Sequence, residues 1–167
     1  MRRRERAAPF HELTRGLVLG SGQALFDEAA ERLMTWQVHR DSGLVVRPDG
    51  PRALPGVRVL LRLGLGPIGV DAPCVVVGVV AEPTEQGFTY RTLPGHPEEG
   101  DEHFRVSLGQ DGTVRGTVSA LSRPSSRLAR AGGAITTTLQ RVQTDRYLAA
   151  MAPGSARARR TRSPRDT

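Results

Sequence analysis

The sequence predicts an α+β fold in which an antiparallel sheet of about six strands carries an N-terminal helix and a long C-terminal helix. Three observations predict it. Segments between residues 44 and 120 alternate apolar and polar side chains with period two and are joined by short turns. Ahead of them, Leu25, Ala29, Leu33 and Trp36 recur at helical spacing. Behind them, Leu128, Ala131, Ile135, Leu139 and Val142 follow steps of three and four, a one-sided stripe that would lie on one sheet face.

The first helix is expected after Gly20-Ser21-Gly22, with Ser21 as its N-cap, and fades near Asp41-Ser42-Gly43. Leu44 to Arg47 forms a short strand before the turn cluster Pro48-Asp49-Gly50-Pro51. Val57, Val59, Leu61, Leu63 and Leu65 alternate with Arg58, Leu60, Arg62 and Gly64, the pattern of a half-buried strand. Gly64, Gly66, Pro67 and Gly69 break it. Cys74 to Val80 is a continuous, mostly β-branched run and is expected to be a strand buried on both faces. Phe88 to Thr92 alternates again. Phe104, Val106 and Leu108 share one face, and Gly109-Gln110-Asp111-Gly112 makes a hairpin turn in which Asp-Gly supplies positive φ. Val114, Gly116, Val118 and Ala120 line the returning strand, and Ser122-Arg123-Pro124 ends the sheet. The last helix runs to about Met151 and stops before Pro153-Gly154, with Gly132-Gly133 weakening its interior.

A chain of 167 residues suits a single domain, placed at 10–152 between Arg-rich tails at 1–9 and 153–167 that are expected to be disordered. The net charge of +7 lies wholly in those tails: residues 1–6 and 155–167 hold nine arginines against two acids, while 7–154 is balanced at fifteen of each. Every basic residue is Arg. Such tails suit weak, nonspecific contact with a polyanion, but no aromatic side chain is interleaved with them to stack bases. No apolar run reaches membrane-spanning length, so an integral membrane protein is not expected. The single cysteine, Cys74, has no partner for a disulfide or a zinc cluster and reads as a buried thiol, which places the expected compartment in the cytoplasm.

The most distinctive stretch runs from Gly87 to Phe104: Gly-Phe-Thr-Tyr-Arg-Thr-Leu-Pro-Gly-His-Pro-Glu-Glu-Gly-Asp-Glu-His-Phe. It resembles the signature G-F-x-Y-G-T-L-x-G-H-P-x-x-G-E-E-x-F of the bacterial and plant family catalogued as domain of unknown function nineteen-ninety. Ala120 to Pro124, Leu139 to Arg141 and Arg146 to Leu148 resemble the family's later motifs A-F-S-R-P, L-Q-R and R-Y-L. Gly20 to Gly22 and Trp36 to His39 fit its N-terminal pattern, so the resemblance covers roughly residues 14–151. Two positions depart from it. Arg91 stands where the family has Gly, and would fill space beside any site there; Asp101 stands where it has Glu. The family is similar to the START-like helix-grip superfamily. That likeness implies a curved sheet closed by the C-terminal helix, with an apolar or mixed cavity between them.

Within these motifs Tyr90, His96, Glu102 and Arg123 are the candidate polar groups of a ligand-binding cavity. The function this implies is carriage or sensing of an apolar or amphipathic small molecule. Each residue also has a purely structural role open to it: His96 in the rigid turn Leu-Pro-Gly-His-Pro, Glu102 paired with Arg91 or Arg123, Tyr90 packed in the core. An enzyme built on His96, Glu102 and Tyr90 is an alternative, since His and a carboxylate support acid–base chemistry. The catalytic residues of such an enzyme stay unassigned. No nucleophile motif, phosphate loop or metal-ligand spacing is present, and His96 with His103 matches no standard ligand pattern, so neither a metal nor a cofactor is expected. Pro94-Gly95 is expected to be a turn with positive φ at the glycine.

Overall fold

The structure, a computed structural model, describes residues 8–64, 69–125 and 133–154, the side chains of 133–137 excepted. The expected tails fall almost wholly outside the described residues, as do Leu128 and Ala131 and the side chain of Ile135.

The element order is β1 (His11–Ser21), α1 (Gln23–Met34), α2 (Gln37–Asp41), β2 (Val45–Pro48), β3 (Arg58–Leu63), β4 (Val70–Glu82), β5 (Glu85–Thr92), β6 (Glu98–Leu108), β7 (Thr113–Pro124) and α3 (Gly133–Met151). The strands form one antiparallel sheet in the order β1-β7-β6-β5-β4-β3-β2. The sheet is curved, and the helices pack against its inner face.

Three differences from the sequence expectation have physical causes. The sheet has seven strands because β1 was hidden: it is an edge strand, largely exposed, and a register shift between Val18 and Gly20 breaks its alternation. The first helix is two helices. Trp36 takes a left-handed conformation with φ of 66° and separates α1 from α2, which turns both Trp36 and His39 into the core. The N-cap of α1 is Gly22, without a side-chain cap, and not Ser21. β4 is not buried on both faces: Ala72, Cys74 and Val76 face inward, Val77 is exposed, and a register shift between Val76 and Gly78 resets the pattern.

The long C-terminal helix is present, but the described part of its apolar stripe, Leu139 and Val142, is not on its buried face. Leu139 is 60% exposed and Val142 42%, whereas Gln143, Thr144, Tyr147, Leu148 and Met151 are buried. Two of those five are polar and are satisfied locally. Gln143 Nε2 donates to Ser42 Oγ at 3.0 Å, and Thr144 Oγ1 donates to the Gln140 carbonyl at 2.9 Å.

The core is an aromatic cluster on the inner face. Phe88 on β5 stacks on Phe104 on β6 with ring centroids 5.3 Å apart, Trp36 meets Phe88 edge-on at 5.2 Å, and Tyr147 of α3 meets Phe104 edge-on at 5.1 Å. His39 sits among these rings, 4.8 Å from Phe104 and 4.9 Å from Tyr147. Neither nitrogen of its ring has a hydrogen-bond partner among the described residues. Burial lowers its pKa to about 3, so it is a neutral ring in the folded state.

Two glycines of the signature are fixed by sheet geometry. A Cβ on Gly87 would lie 2.0 Å from the Phe104 carbonyl oxygen, and one on Gly100 would lie 2.0 Å from that of Leu121. Only glycine lets the neighbouring strand approach so closely.

Candidate functional site

Beyond the aromatic cluster the inner face is not filled. A cavity of about 450 Å³ lies between strands β3 to β7, the turn before β6, and α3. Its apolar wall comes from Leu61, Leu63, Val70, Ala72, Ala120 and Leu139. Its polar groups gather on β5, β6, β7 and the facing side of α3. Tyr90 and Tyr147 belong to both the core and the cavity, and stand between them.

Strand register builds the polar wall. Tyr90 and Glu102 are directly opposite on β5 and β6, both pointing inward, and Tyr90 Oη donates to Glu102 Oε2 at 2.6 Å. Gly100 faces Ser122 in the same way, one step further along. Ser122 Oγ donates to Glu98 Oε2 and accepts from Gln140 Nε2 at 3.1 Å, which ties β6, β7 and α3 together across the cavity.

Glu102 keeps some open surface, and that surface lies on the cavity while protein atoms surround the group. Burial pushes its carboxyl up to about 7, the hydrogen bond from Tyr90 opposes the shift, and the neighbouring Glu98 adds to it. Burial raises Tyr90 well above its ordinary range, so it is a proton donor and not a phenolate. Glu102 can therefore exchange a proton close to neutral pH.

His96 sits in the turn as the sequence suggested. Gly95 has φ of +99°, and the His96 N–H donates to the Leu93 carbonyl at 3.1 Å. His96 Nδ1 accepts from the Glu98 N–H at 2.9 Å, which leaves the proton of the neutral ring on Nε2. Burial lowers its pKa to about 4.

Three of the four candidate residues, Tyr90, His96 and Glu102, thus line one cavity, and the fourth does not. Arg123 lies on the outer face, because period two sends it opposite to Ser122. Its Nε and Nη2 donate to the Glu99 carboxylate at 3.0 and 3.1 Å, and its guanidinium sits 4.7 Å from the centre of the Phe10 ring. Arg91 is on that same outer face, so it takes no space from the cavity. It donates to both oxygens of Asp101 at 2.7 and 2.8 Å, so the two departures from the signature are partners of one another. His103 also faces outward, with Nδ1 2.7 Å from Thr89 Oγ1, and cannot meet His96. Among the described residues no group of three metal-ligating side chains comes together.

Sequence reasoning did not single out Ser122, Glu98, Gln140, Gln143 or Tyr147 as cavity residues. The parity of β6 and β7 around Gly100 and Ser122 carried the signal for the first two. On α3, Gln140 and Tyr147 lie in the L-Q-R and R-Y-L motifs, which marked them without giving them a role, and Gln143 had no signal, since its face is the less apolar one.

The matching family model is a domain of unknown function (DUF1990), and it spans residues 2–150. The chain belongs to this family. A UPF0548 protein of Deinococcus radiodurans is 33% identical over 127 residues, which are 67% of this chain and 63% of that relative's length. Solved structures show the same fold at low identity. The hypothetical protein jhp0584 of Helicobacter pylori superposes with a TM-score of 0.64 at 11% identity, covering 91% of this chain and 90% of its own. Ginseng major latex-like protein 151 from Panax ginseng gives 0.58 at 15%, covering 87% and 100%. Truncated norcoclaurine synthase from Thalictrum flavum gives 0.57 at 10%, covering 87% and 95%. The DUF1990 chain therefore has a helix-grip fold. No helix among its described residues is long and apolar enough to cross a membrane.

Proposed function

We propose that this DUF1990 chain binds an apolar or amphipathic small molecule in the cavity between the sheet and α3. The observation that carries the reading is the cavity itself: about 450 Å³, mostly apolar, with Tyr90, His96 and Glu102 converging on it. Ligand sites have this size and this mixture of an apolar wall with a few oriented polar groups. A core selected only for stability would fill such a volume, because voids cost stability in proportion to their size. It would also not place a carboxyl with a pKa near 7 on the wall. The helix-grip neighbours include one named as a synthase and one named as a latex-like protein, so the fold serves this proposal without choosing between binding and catalysis. Cys74 is a buried free thiol, which suits the cytoplasmic location included in this reading.

The test is the fluorescence of N-phenyl-1-naphthylamine, a neutral apolar probe, titrated with the full chain. Wild type is expected to enhance and saturate the signal. Ala120 is buried in the cavity wall. Ala120→Leu and Ala120→Phe should reduce the binding in that order, by about tenfold or more for Phe, because added side-chain volume takes the probe's place. Equal binding by all three folded proteins would move the probe out of this cavity.

A further inference from the structure

Strand β6 sorts four carboxylates by face. Glu99 and Asp101 point outward by register, and each is held by an arginine, Arg123 and Arg91 respectively, although Asp101 also borders the cavity rim. Glu98 and Glu102 point inward to the cavity. There they receive hydroxyl hydrogen bonds, from Ser122 and Tyr90, and no cation pairs with either among the described residues. The described lining contains no arginine, and the chain contains no lysine. His96 is the basic side chain in the lining, and burial holds it neutral. Glu102 Oε1 accepts no hydrogen bond among the described residues, since Tyr90 Oη reaches Oε2 alone. The wall thus carries acid without base, on a surface whose remainder is apolar.

We propose that the ligand of this cavity carries a cationic head, a protonated nitrogen, held by Glu102 and Glu98, with its apolar body against Leu61, Ala72 and Leu139. This rests on the binding reading above and narrows it to a ligand class. A buried carboxylate without a counter-charge is costly, and an entering ammonium supplies both the charge and the N–H donors that the wall lacks. An anionic head would add like charge to the same wall and is disfavoured.

The binding is pH-dependent with a definite sign. The ionisable groups around Glu102 are Tyr90 from β5, Cys74 from β4, Tyr147 from α3, Glu98 and the Arg91-paired Asp101 on its own strand and His96 in the turn, with His39 of α2 behind the Tyr90 ring. β7 contributes Ala120 and Ser122, which do not ionise. Burial raises the two tyrosines and Cys74, and lowers His39 to about 3 and His96 to about 4, so these five stay uncharged between about pH 5.5 and pH 8.5. The carboxyls set the charge of the wall in that window.

Isothermal titration of the full chain with decylamine, decanol and decanoate isolates the head group, because the ten-carbon body is constant. At about pH 8 decylammonium is expected to bind at least about tenfold more tightly than decanol, with decanoate weakest. The preference should shrink towards unity at about pH 5.5, where Glu102 is protonated, and should fall at pH 8 in Glu102→Gln. Decanol binding as tightly as decylamine in wild type overturns the head-group assignment and leaves the cavity reading standing. An amine preference that persists in a folded Glu98→Gln/Glu102→Gln double variant also overturns it. If none of the three amphiphiles binds, the cavity reading fails and this assignment fails with it.

Discussion

Glu102→Gln is expected to be more stable than wild type at pH 8, by about 2–3 kcal/mol, and to gain nothing at pH 4. The sign follows from the raised carboxyl. Its pKa is about 7 in the folded chain against an ordinary value of 4.5. Between those values the folded state holds a proton that the unfolded state has released, so stability falls as pH rises through this range. Above about pH 7 the loss is complete. The amide has no proton to lose, and its oxygen still accepts from Tyr90 Oη, so the variant escapes the penalty without orphaning the tyrosine. His39 and His96, whose folded pKa values are lowered, act in the opposite direction: they withdraw stability as pH falls below about 6.5. Both are common to the two proteins and cancel in the difference. Urea denaturation of each protein at pH 4, 6 and 8 reads the result. A variant less stable than wild type at pH 8, or a gain independent of pH, would show that Glu102 is a structural partner in the fold. A gain confined to high pH marks a carboxyl kept at a cost to stability, as functional groups commonly are.

Gly87→Ala is expected to lose about 3–5 kcal/mol, enough to unfold much of the population of a domain of this size. The added methyl would sit 2.0 Å from the Phe104 carbonyl oxygen, which belongs to the backbone of β6 and cannot swing aside as a side chain can. Relief requires β5 and β6 to part at the point where Phe88 stacks on Phe104 and, two pairs further on, where Tyr90 meets Glu102. The damage should reach the cavity as well as the core. Thermal unfolding followed by far-ultraviolet circular dichroism reads the loss. Gly112→Ala is the comparison: Gly112, unlike Gly87, has a positive φ of 81°, but nothing lies within 4 Å of its Cβ, so only backbone strain of about 1 kcal/mol is expected. Comparable losses at both positions would remove the close strand approach as the reason for Gly87.

Much of the fold was legible because its central strands are half-buried. β3 and β7 each face an apolar core on one side and are more open on the other, so their alternation is written plainly in the sequence, while β5 is buried on both faces from Gly87 to Tyr90. β1 was not legible, because an exposed edge strand has no core to impose a pattern and the shift at Val18 to Gly20 scrambles what remains. The phase of α3 was misleading for a related reason. The helix lies over a partly polar cavity, so its inward face carries Gln140, Gln143 and Thr144, while Leu139 at the cavity wall and Val142 remain exposed. Binary patterning assumes that inside is apolar, and a helix that closes a site breaks that assumption.

The candidate site shows the same division. Tyr90, His96 and Glu102 could be selected from the signature by residue type, yet only register brings Tyr90 and Glu102 into contact. Arg123 was chosen by the same criterion and is excluded by the parity of a single residue, since its neighbour Ser122 is the one that faces inward. His39 closes the Trp36 to His39 stretch that fits the family's N-terminal pattern, but nothing in that stretch gave it a place in the core. Its burial depends on the left-handed turn at Trp36, a backbone event that neither spacing nor propensity announces.

The central claim is that the space between the sheet and α3 holds a small molecule, and native mass spectrometry of the full chain tests it most directly. The protein is purified without detergent and compared with Ala120→Phe. The account predicts a reproducible added mass on wild type that departs on denaturation and is absent from the variant. A bare chain mass for wild type, with no uptake of decylamine or N-phenyl-1-naphthylamine when these are supplied, would contradict it.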